Sequence, residues 1–183
     1  MTSNPSRKAV FLDRDGVLVI PEFANGRSYA PRSLDRFKFY PEARDCLDQL
    51  KAWGYFLVVV TNQPDVGTGH LSLATLNEMH KRMTAELQID HINVCTHTSQ
   101  DACDCRKPRP GMLVQAAEQY GINCQDSFMV GDRRSDILAG AAVGCKTIFI
   151  DHGYTVETVP DDADKIVITL SEVVSWIGQR ELL

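Results

Sequence analysis

The chain has 183 residues, of which 44% are hydrophobic and 23% charged, as expected for one globular domain spanning residues 1–183. Its formal net charge of −5 argues against general attraction to nucleic acid, and no apolar run reaches the length of a transmembrane helix. Residues 1–8 are polar and contain no apolar segment typical of a secretory signal. We therefore expect a cytoplasmic monomer with neither a nucleic-acid nor a membrane partner.

Apolar strand patterns alternate with amphipathic helix patterns along the chain. Strands are predicted over residues 9–12, 55–61, 92–96, 127–130, 146–150 and 165–168. Helices are predicted over 41–53, 73–87, 112–120, 136–143 and 171–177, with Ser72 capping the second. Residues 18–39 show no clear period and are predicted to form a long loop. The alternation predicts a Rossmann-like, doubly wound parallel α/β sheet.

Two aspartates, Asp13 and Asp15, follow the first predicted strand, and Gly16 comes next. On an extended backbone, side chains two residues apart point the same way. Carboxylates this close divide their roles when a cation lies between them or when one keeps a proton. Taken alone, the segment is equally compatible with a strand end followed by an Asp-Gly turn.

Residues suited to a phosphate or a cation also follow two later strands. Thr61 and Asn62 precede a glycine-bearing loop over 64–69, where a hydroxyl and backbone N–H groups can meet an oxyanion. Asp132 ends the fourth strand, whereas Asp136 is also explained as a helix cap. Because the C-terminal ends of parallel strands share one edge, these groups and the first aspartate pair are expected to form a site for Mg²⁺ and a phosphate.

Four potential metal ligands lie within eleven residues: Cys95, His97, Cys103 and Cys105. Three thiolates and an imidazole match a tetrahedral structural zinc site, which would staple a loop over about 95–105. The alternatives are a chance cysteine cluster or a disulfide between Cys103 and Cys105.

Three cations, Arg106, Lys107 and Arg109, follow this loop directly and precede a predicted helix. Such a run is commonly a solvated surface. Here it lies at a helix N-terminus, where the dipole favours anions, so a phosphate-facing role is expected for Arg106 and Lys107 and is left open for Arg109.

The motifs taken together resemble a known family. The D-R-D-G-V segment at 13–17, the T-N-Q at 61–63, Lys107 and the G-D-x-x-x-D at 131–136 resemble the four motifs of the haloacid dehalogenase superfamily of phosphohydrolases. With the C-x-H…C-x-C-R-K-P-x-P-G block, the chain is similar to the branch that holds heptose bisphosphate phosphatases and histidinol phosphatases. The resemblance covers nearly the whole chain and implies a fold with a minimal cap or none.

The resemblance implies a phosphomonoesterase and assigns its catalytic residues. Asp13 would be the nucleophile that forms an aspartyl-phosphate, and Asp15 would protonate the leaving oxygen and later activate water. Thr61 and Lys107 would hold the transferring phosphoryl oxygens.

The resemblance also implies metal ligands and substrate contacts. Mg²⁺ would be bound by the carboxylates of Asp13 and Asp132 and by the backbone carbonyl of Asp15, with Asp136 supporting them. The residues implied to contact the rest of the substrate are Asn62, Arg106, Arg133, Tyr29 and Arg32. The loops over 18–39 and 64–70 and the zinc loop would form the specificity wall.

The substrate expected first is D-glycero-D-manno-heptose 1,7-bisphosphate, cut at the 7-position, with Arg109 adding charge for a second phosphate. Histidinol phosphate or another small sugar phosphate is the alternative. The five-residue spacing between His97 and Cys103 favours histidinol phosphate. The loop after Asp15, which is longer than usual in either group, and the lack of a basic residue at 64–69 leave the choice of substrate open. An alternative of another class is a non-catalytic, zinc-stabilised binding module.

Overall fold

The computed structural model describes residues 6–24, 26–154 and 158–181. The prediction that residues 1–8 contain no secretory signal falls mostly on residues 1–5, which lie outside these ranges. Among the helices of the described ranges, none is long and apolar enough to cross a membrane.

Within the described ranges, eight strands form the sheets. They are β1 (Ala9–Leu12), β2 (Glu22–Ala24), β3 (Arg27–Tyr29), β4 (Phe56–Asn62), β5 (His91–Cys95), β6 (Phe128–Gly131), β7 (Lys146–Ile150) and β8 (Lys165–Val167). Six of them form a parallel sheet in the order β5-β4-β1-β6-β7-β8. The order reverses at β1, so the predicted doubly wound sheet is confirmed and its switch point lies at the first strand.

In the part of the chain that the structure describes, six α-helices connect or flank these strands. They are α1 (Ala43–Ala52), α2 (Pro64–Gly67), α3 (Leu73–Leu87), α4 (Gly111–Tyr120), α5 (Arg134–Ala142) and α6 (Leu170–Glu181). The predicted cap is present, because the Ser72 hydroxyl accepts a hydrogen bond from the backbone N–H of Thr75 at 3.0 Å. The strands and helices that the sequence predicts are present, with ends that differ by at most four residues.

The core lies on both faces of the parallel sheet. Val10 and Leu12 of β1 pack into one hydrophobic cluster, and Ala9 and Phe11 pack into the other. All four side chains are fully buried. A strand that is apolar on both faces is the pattern expected at the centre of a sheet covered by helices on two sides.

The prediction of an unstructured loop over 18–39 is wrong in part. Strands β2 and β3 form an antiparallel hairpin within it, with Phe23 opposite Ser28. Gly26 adopts a positive φ of 73° at the turn, a conformation that glycine tolerates. The sequence Asn25-Gly26 is a known hairpin signal that the irregular flanking pattern concealed.

Two predicted boundaries need correction next to the strand ends. Helix α5 begins at Arg134, not at Asp136; Asp136 is its third residue, and its carboxylate accepts the backbone N–H of Arg133 at 3.0 Å. This is a capping-box position, which explains why the sequence resembles a helix start. Residues 64–67, predicted as loop, form the short helix α2 with Pro64 in its first turn, where proline is favoured.

Candidate active site

Asp13 directly follows β1 and contacts a buried lysine. Lys107 places its Nζ 2.9 Å from Oδ1 of Asp13 and 2.7 Å from Oδ1 of Asp136, and donates to the carbonyl of Val60 at 2.6 Å. Burial opposes its charge, but the carboxylates of Asp13 and Asp136 hold the pKa of Lys107 above its ordinary value. A cation is therefore fixed beside the first aspartate, at the edge where β1 and β4 end.

Three carboxylates converge at the same point. Oxygen atoms of Asp13, Asp132 and Asp136 all lie within 4.8 Å of one another. Both side-chain oxygens of Asp132 are buried and lack a well-aligned hydrogen bond within the described ranges, although the nearby Tyr154 hydroxyl acts to lower the pKa of Asp132. Burial, followed by the charges of Asp13 and Asp136, raises the pKa of Asp132 well above its usual range. Buried carboxylate oxygens that lack well-aligned donors fit a hard cation such as Mg²⁺.

Asp136 contributes differently from Asp132. Its Oδ1 pairs with Lys107 and its Oδ2 accepts the backbone N–H of Arg133, so both oxygens already have partners. Burial raises the pKa of Asp136 to about 6, although Lys107 opposes that rise. This arrangement agrees with the supporting position expected for Asp136, and the division of roles within the cluster stays a prediction.

Gly16 allows the backbone to approach the acidic cluster. Its φ is +86°, and a Cβ added there would lie 2.1 Å from Oδ2 of Asp132. A side chain at this position would therefore displace the Asp132 carboxylate. His152 holds the same turn from the other side, with its Nε2 2.6 Å from the carbonyl oxygen of Gly16.

Asp15 lines the same cavity as Asp13, but not because both lie on a strand. Strand β1 ends at Leu12, and residues 13–18 form a bend and a turn. The Asp15 carboxylate contacts two groups that the sequence analysis did not consider: Gln63 Nε2 donates to Oδ2 at 2.7 Å, and Arg14 Nε donates to Oδ2 at 3.0 Å. Burial raises the pKa of Asp15 and Arg14 lowers it, while the nearby charge of Asp13 adds to the rise.

Thr61 and Asn62 end β4 beneath the site. Thr61 is 1% exposed, and its hydroxyl accepts a hydrogen bond from Gln63 Nε2 at 2.9 Å. The Asn62 side chain binds the backbone of Lys107 twice: its Oδ1 accepts the N–H at 3.1 Å and its Nδ2 donates to the carbonyl at 3.1 Å. Asn62 therefore positions the lysine segment, and its predicted substrate contact stays untested.

A cavity of about 560 Å³ opens over these groups. Its charged lining residues are the cations Arg27, Arg106, Lys107 and Arg133 and the acids Asp13, Asp15, Asp65 and Asp136. A larger open groove of about 920 Å³ runs along α3 and is lined by other residues. The cavity, not the groove, contains the chemistry, because carboxylates and cations converge there at the ends of the strands.

The hairpin and α2 form the walls of the cavity. Tyr29 lines it, as the resemblance implies, and Arg133 donates to the hydroxyl of Ser28 on the hairpin at 2.6 Å. Arg32 is not among the lining residues; its guanidinium pairs with the carboxylate of Asp65, which is, at 2.7 and 3.0 Å. Arg32 thus borders the cavity only through Asp65.

Arg109 does not line the cavity. It donates to the backbone carbonyl of Cys103. The expectation that Arg109 supplies charge for a second phosphate is therefore not supported by its position. Arg27, which the sequence analysis did not single out, lines the cavity instead.

The Cys/His group lies beside the cavity. The ligand atoms of Cys95, His97, Cys103 and Cys105 all lie within 4.8 Å of one another, with His97 Nδ1 3.3 Å from Cys105 Sγ and the sulfurs of Cys95 and Cys103 3.9 Å apart. Donors at about 2.0–2.3 Å from one tetrahedral metal lie roughly 3.3–3.8 Å from each other. The cysteines are free, so the alternative of a Cys103–Cys105 disulfide is not present.

This loop connects to the site through hydrogen bonds. Arg106 donates to the carbonyl of His97 at 3.2 Å, and the backbone N–H of Gln63 donates to the carbonyl of Cys95 at 2.7 Å. A metal that fixes the loop would therefore also fix one wall of the cavity.

The fold and the site together define the class of protein. A family model described as HAD-hydrolase-like matches residues 104–174. The D,D-heptose 1,7-bisphosphate phosphatase from B. bronchiseptica, solved in complex with magnesium and phosphate, matches with a TM-score of 0.81 and 28% identity, over 94% of this chain and 99% of that one.

Related sequences identify the group within this class. D-glycero-β-D-manno-heptose-1,7-bisphosphate 7-phosphatase from Pasteurella multocida strain Pm70 is 38% identical over 80% of this chain and 83% of the relative. The enzyme of the same name from Pseudomonas putida strain KT2440 is 36% identical, with the same coverage of 80% and 83%. The chain therefore belongs to the HAD-like hydrolases, in the group that contains these heptose bisphosphate phosphatases.

Proposed function

We propose that this chain is a Mg²⁺-dependent phosphomonoesterase that removes the 7-phosphate of D-glycero-β-D-manno-heptose 1,7-bisphosphate. The observation that carries the reaction type is the position of Asp13, which pairs with a buried lysine and lies within 4.8 Å of the buried carboxylate of Asp132. An anionic nucleophile, a fixed cation and a cation-binding carboxylate are the groups that phosphoryl transfer requires.

The first half of the reaction follows from the positions of these groups. An oxygen of Asp13 attacks phosphorus, and the bond between phosphorus and the sugar oxygen breaks. Asp15 gives its proton to that oxygen, and Lys107 balances charge on the phosphoryl oxygens. Bound Mg²⁺ supplies further positive charge for the phosphoryl group, and Asp13 and Asp132 are the carboxylates that fit it.

The second half returns the enzyme to its starting state. Asp15, now ionised, takes a proton from water, and the oxygen of that water attacks the phosphorus of the aspartyl-phosphate. The bond to Asp13 breaks and inorganic phosphate leaves. One carboxyl group thus acts as acid and then as base, which agrees with its buried position between a charge that raises its pKa and one that lowers it.

We further propose that the Cys/His group holds zinc with a structural role. Support comes from three cysteine sulfurs and one imidazole nitrogen that all lie within 4.8 Å of one another, a set of four protein ligands that leaves no position for a substrate. Zinc would order residues 95–105, and through Arg106 and Gln63 it would also order the cavity wall.

The choice of substrate rests on the names of the relatives and on the charge of the cavity. Both named sequence relatives act on the β-anomer of the heptose bisphosphate, as their names state. Cavity-lining cations beyond Lys107, namely Arg27, Arg106 and Arg133, supply charge suited to a second phosphate. The cytoplasmic location and the monomeric state stay predictions.

The experiment that tests this function is phosphate release with Mg²⁺ from both anomers of heptose 1,7-bisphosphate, histidinol phosphate and hexose bisphosphates. We expect kcat/KM for the β-anomer to exceed that for histidinol phosphate by about 10²-fold or more, which is roughly 3 kcal/mol of transition-state discrimination. A preference for histidinol phosphate would overturn the substrate. A purified protein that releases no phosphate from any of them would favour the binding module.

A further inference from the structure

Gln63 and Arg14 are two buried polar side chains to which neither the motifs nor the mechanism above assign a role. Both are 0% exposed. Both direct their donors at the carboxylate of Asp15, which retains 15% exposure of its side chain toward the cavity. Gln63 and Arg14 make more and shorter contacts with Oδ2 of Asp15 than with its Oδ1.

Three nitrogens approach Oδ2 of Asp15. Gln63 Nε2 and Arg14 Nε donate hydrogen bonds to it at 2.7 and 3.0 Å. The terminal nitrogen Nη2 of Arg14 also lies at 3.0 Å, as an ion-pair contact without hydrogen-bond alignment. Oδ1 has one long contact, from Arg14 Nε at 3.2 Å. An oxygen that accepts several donors cannot also carry a proton in their direction, so the proton of the neutral acid belongs on Oδ1.

We propose that Gln63 and Arg14 are positioning residues for Asp15, which saturate Oδ2 and reserve Oδ1 for proton transfer. The inference rests on the proposed function. In the first step the Oδ1–H bond breaks and its proton passes to the sugar oxygen as the bond from that oxygen to phosphorus breaks. In the second step Oδ1 takes a proton from the attacking water, which restores the acid.

The polar atoms of Gln63 argue for function over stability. Its Nε2 donates to Asp15 and Thr61, but its Oε1 is buried with no hydrogen-bond partner among the described residues. An unpaired buried acceptor destabilises a fold, and an apolar side chain of the same length would avoid that cost. The amide is therefore explained by what its N–H groups hold, not by a contribution to folding.

Arg14 is placed with similar specificity. Within the described ranges Asp15 is its ion-pair partner, and the guanidinium lies 5.4 Å from the centre of the Phe37 ring. Its other terminal nitrogen lies 3.4 Å from Nε2 of His80. A forked cation held on two sides fixes the plane of the carboxylate, which a lysine would not do.

The second bond of Gln63, to the Thr61 hydroxyl, defines the competing explanation. If Gln63 acted through Thr61, or only through packing, its loss would slow phosphoryl transfer from every ester. If it acts through Asp15, its loss slows the first step only where the leaving oxygen needs a proton. Sugar alkoxides need that proton, whereas nitrophenolate leaves without it.

The test compares wild type, Gln63→Met and Arg14→Lys in stopped-flow experiments with heptose bisphosphate and with p-nitrophenyl phosphate, each with Mg²⁺. For Gln63→Met we expect kcat/KM on the sugar ester to fall by about 10–100-fold, within the range of general-acid catalysis. The nitrophenol burst should keep its rate within about threefold, followed by a slower steady state, because the water step still needs the base. Arg14→Lys should show the same pattern.

Two controls separate positioning from folding. Gln119→Met, which changes an exposed glutamine on α4, should leave both substrates unaffected. In an Asp15→Ala background, Gln63→Met should not slow the steady state on p-nitrophenyl phosphate any further, since the group it positions is absent. The melting temperature of Gln63→Met should equal or exceed that of wild type.

Equal losses of rate on both substrates, or a further loss of rate in the Asp15→Ala background, would overturn the inference. Turnover by wild type would in that case still support the proposed function. If wild type hydrolysed neither ester, the proposed function would fail and this inference with it.

Discussion

The buried, unpaired carboxylate of Asp132 predicts that one substitution will stabilise the metal-free protein and abolish its response to Mg²⁺. In Asp132→Asn the side chain keeps its size but loses its charge, and its new amide N–H groups can donate to Asp13 and Asp136. Without metal, wild type has three carboxylates within 4.8 Å and one lysine among them. The substitution removes the charge of the one member of that cluster that does not pair with Lys107.

The size of the effect follows from the contacts. A buried polar group left unsatisfied costs about 1–3 kcal/mol, so the metal-free variant should gain about 2 kcal/mol in unfolding free energy. For a chain of this length that corresponds to a rise of about 4–8 °C in melting temperature. Saturating Mg²⁺ at about 100 times its Kd should stabilise wild type by about 2.7 kcal/mol and the variant by much less.

The pH dependence has a defined sign. The pKa of Asp132 is raised in the folded state. The free-energy cost of its negative charge is therefore absent below the ordinary pKa of 3.8, and it grows as the pH rises above that value. The advantage of Asp132→Asn should therefore shrink as the pH approaches about 4.

The assay is denaturant unfolding in EDTA and in Mg²⁺ at several pH values, with Asp161→Asn, an exposed acid, as the matched control. The control should match wild type in both conditions. A metal-free Asp132→Asn protein that is less stable than wild type, or one that keeps the full Mg²⁺ response, would refute the reasoning.

Three further predictions test other parts of the structure. Burial, with a smaller contribution from Arg14, lowers the pKa of His80 from 6.5 to about 4. As the pH falls from 6.5 to 4, the unfolding free energy of wild type should therefore drop by up to roughly 3 kcal/mol relative to that of His80→Gln. Parallel curves of unfolding free energy against pH would contradict this. Cys103→Ser should lose bound zinc and melt at a lower temperature, as should chelated wild type, whereas Cys46→Ser should retain zinc by elemental analysis. Gly16→Ala should lose the Mg²⁺-dependent rise in melting temperature, because its Cβ meets a carboxylate of the metal site at 2.1 Å. Gly69→Ala has a similar φ of +78° and open space around the Cβ, so it should lose about 1–2 kcal/mol to backbone strain and keep the metal response.

Much of the fold was predictable because its signals are local. Residues 56–60 of the strand β4, Phe56–Asn62, form a continuous apolar run, and the cap at Ser72 precedes a helical period of buried residues. The hairpin of β2 and β3 was missed because three-residue strands are too short to show alternation. One contact that holds the hairpin over the cavity is the hydrogen bond between Arg133 and Ser28, which are 105 residues apart, and no local pattern predicts such a pair.

The part of the site that could be predicted consists of residues at the ends of strands. Asp13 and Asp132 follow β1 and β6, which pair directly, so their proximity is a consequence of sheet order. Gln63 was not identified as part of the site because its role depends on the turn into α2. Strict alternation along a strand would point Arg14 away from Asp15; the bend after Leu12 instead folds its guanidinium onto that carboxylate.

The central claim, that Asp13 is the nucleophile of a phosphatase, is tested most directly by trapping the phosphoenzyme. Asp15→Asn is mixed with p-nitrophenyl phosphate and Mg²⁺, quenched in acid within milliseconds and digested for mass spectrometry. The variant should form the aspartyl-phosphate readily and hydrolyse it slowly, because nitrophenolate needs no proton whereas the water step needs the missing base. We expect a phosphate adduct on the peptide that contains residue 13, and no adduct when Asp13→Asn is added. An adduct on another peptide, or steady nitrophenol release by the double variant at the rate of Asp15→Asn, would contradict the claim.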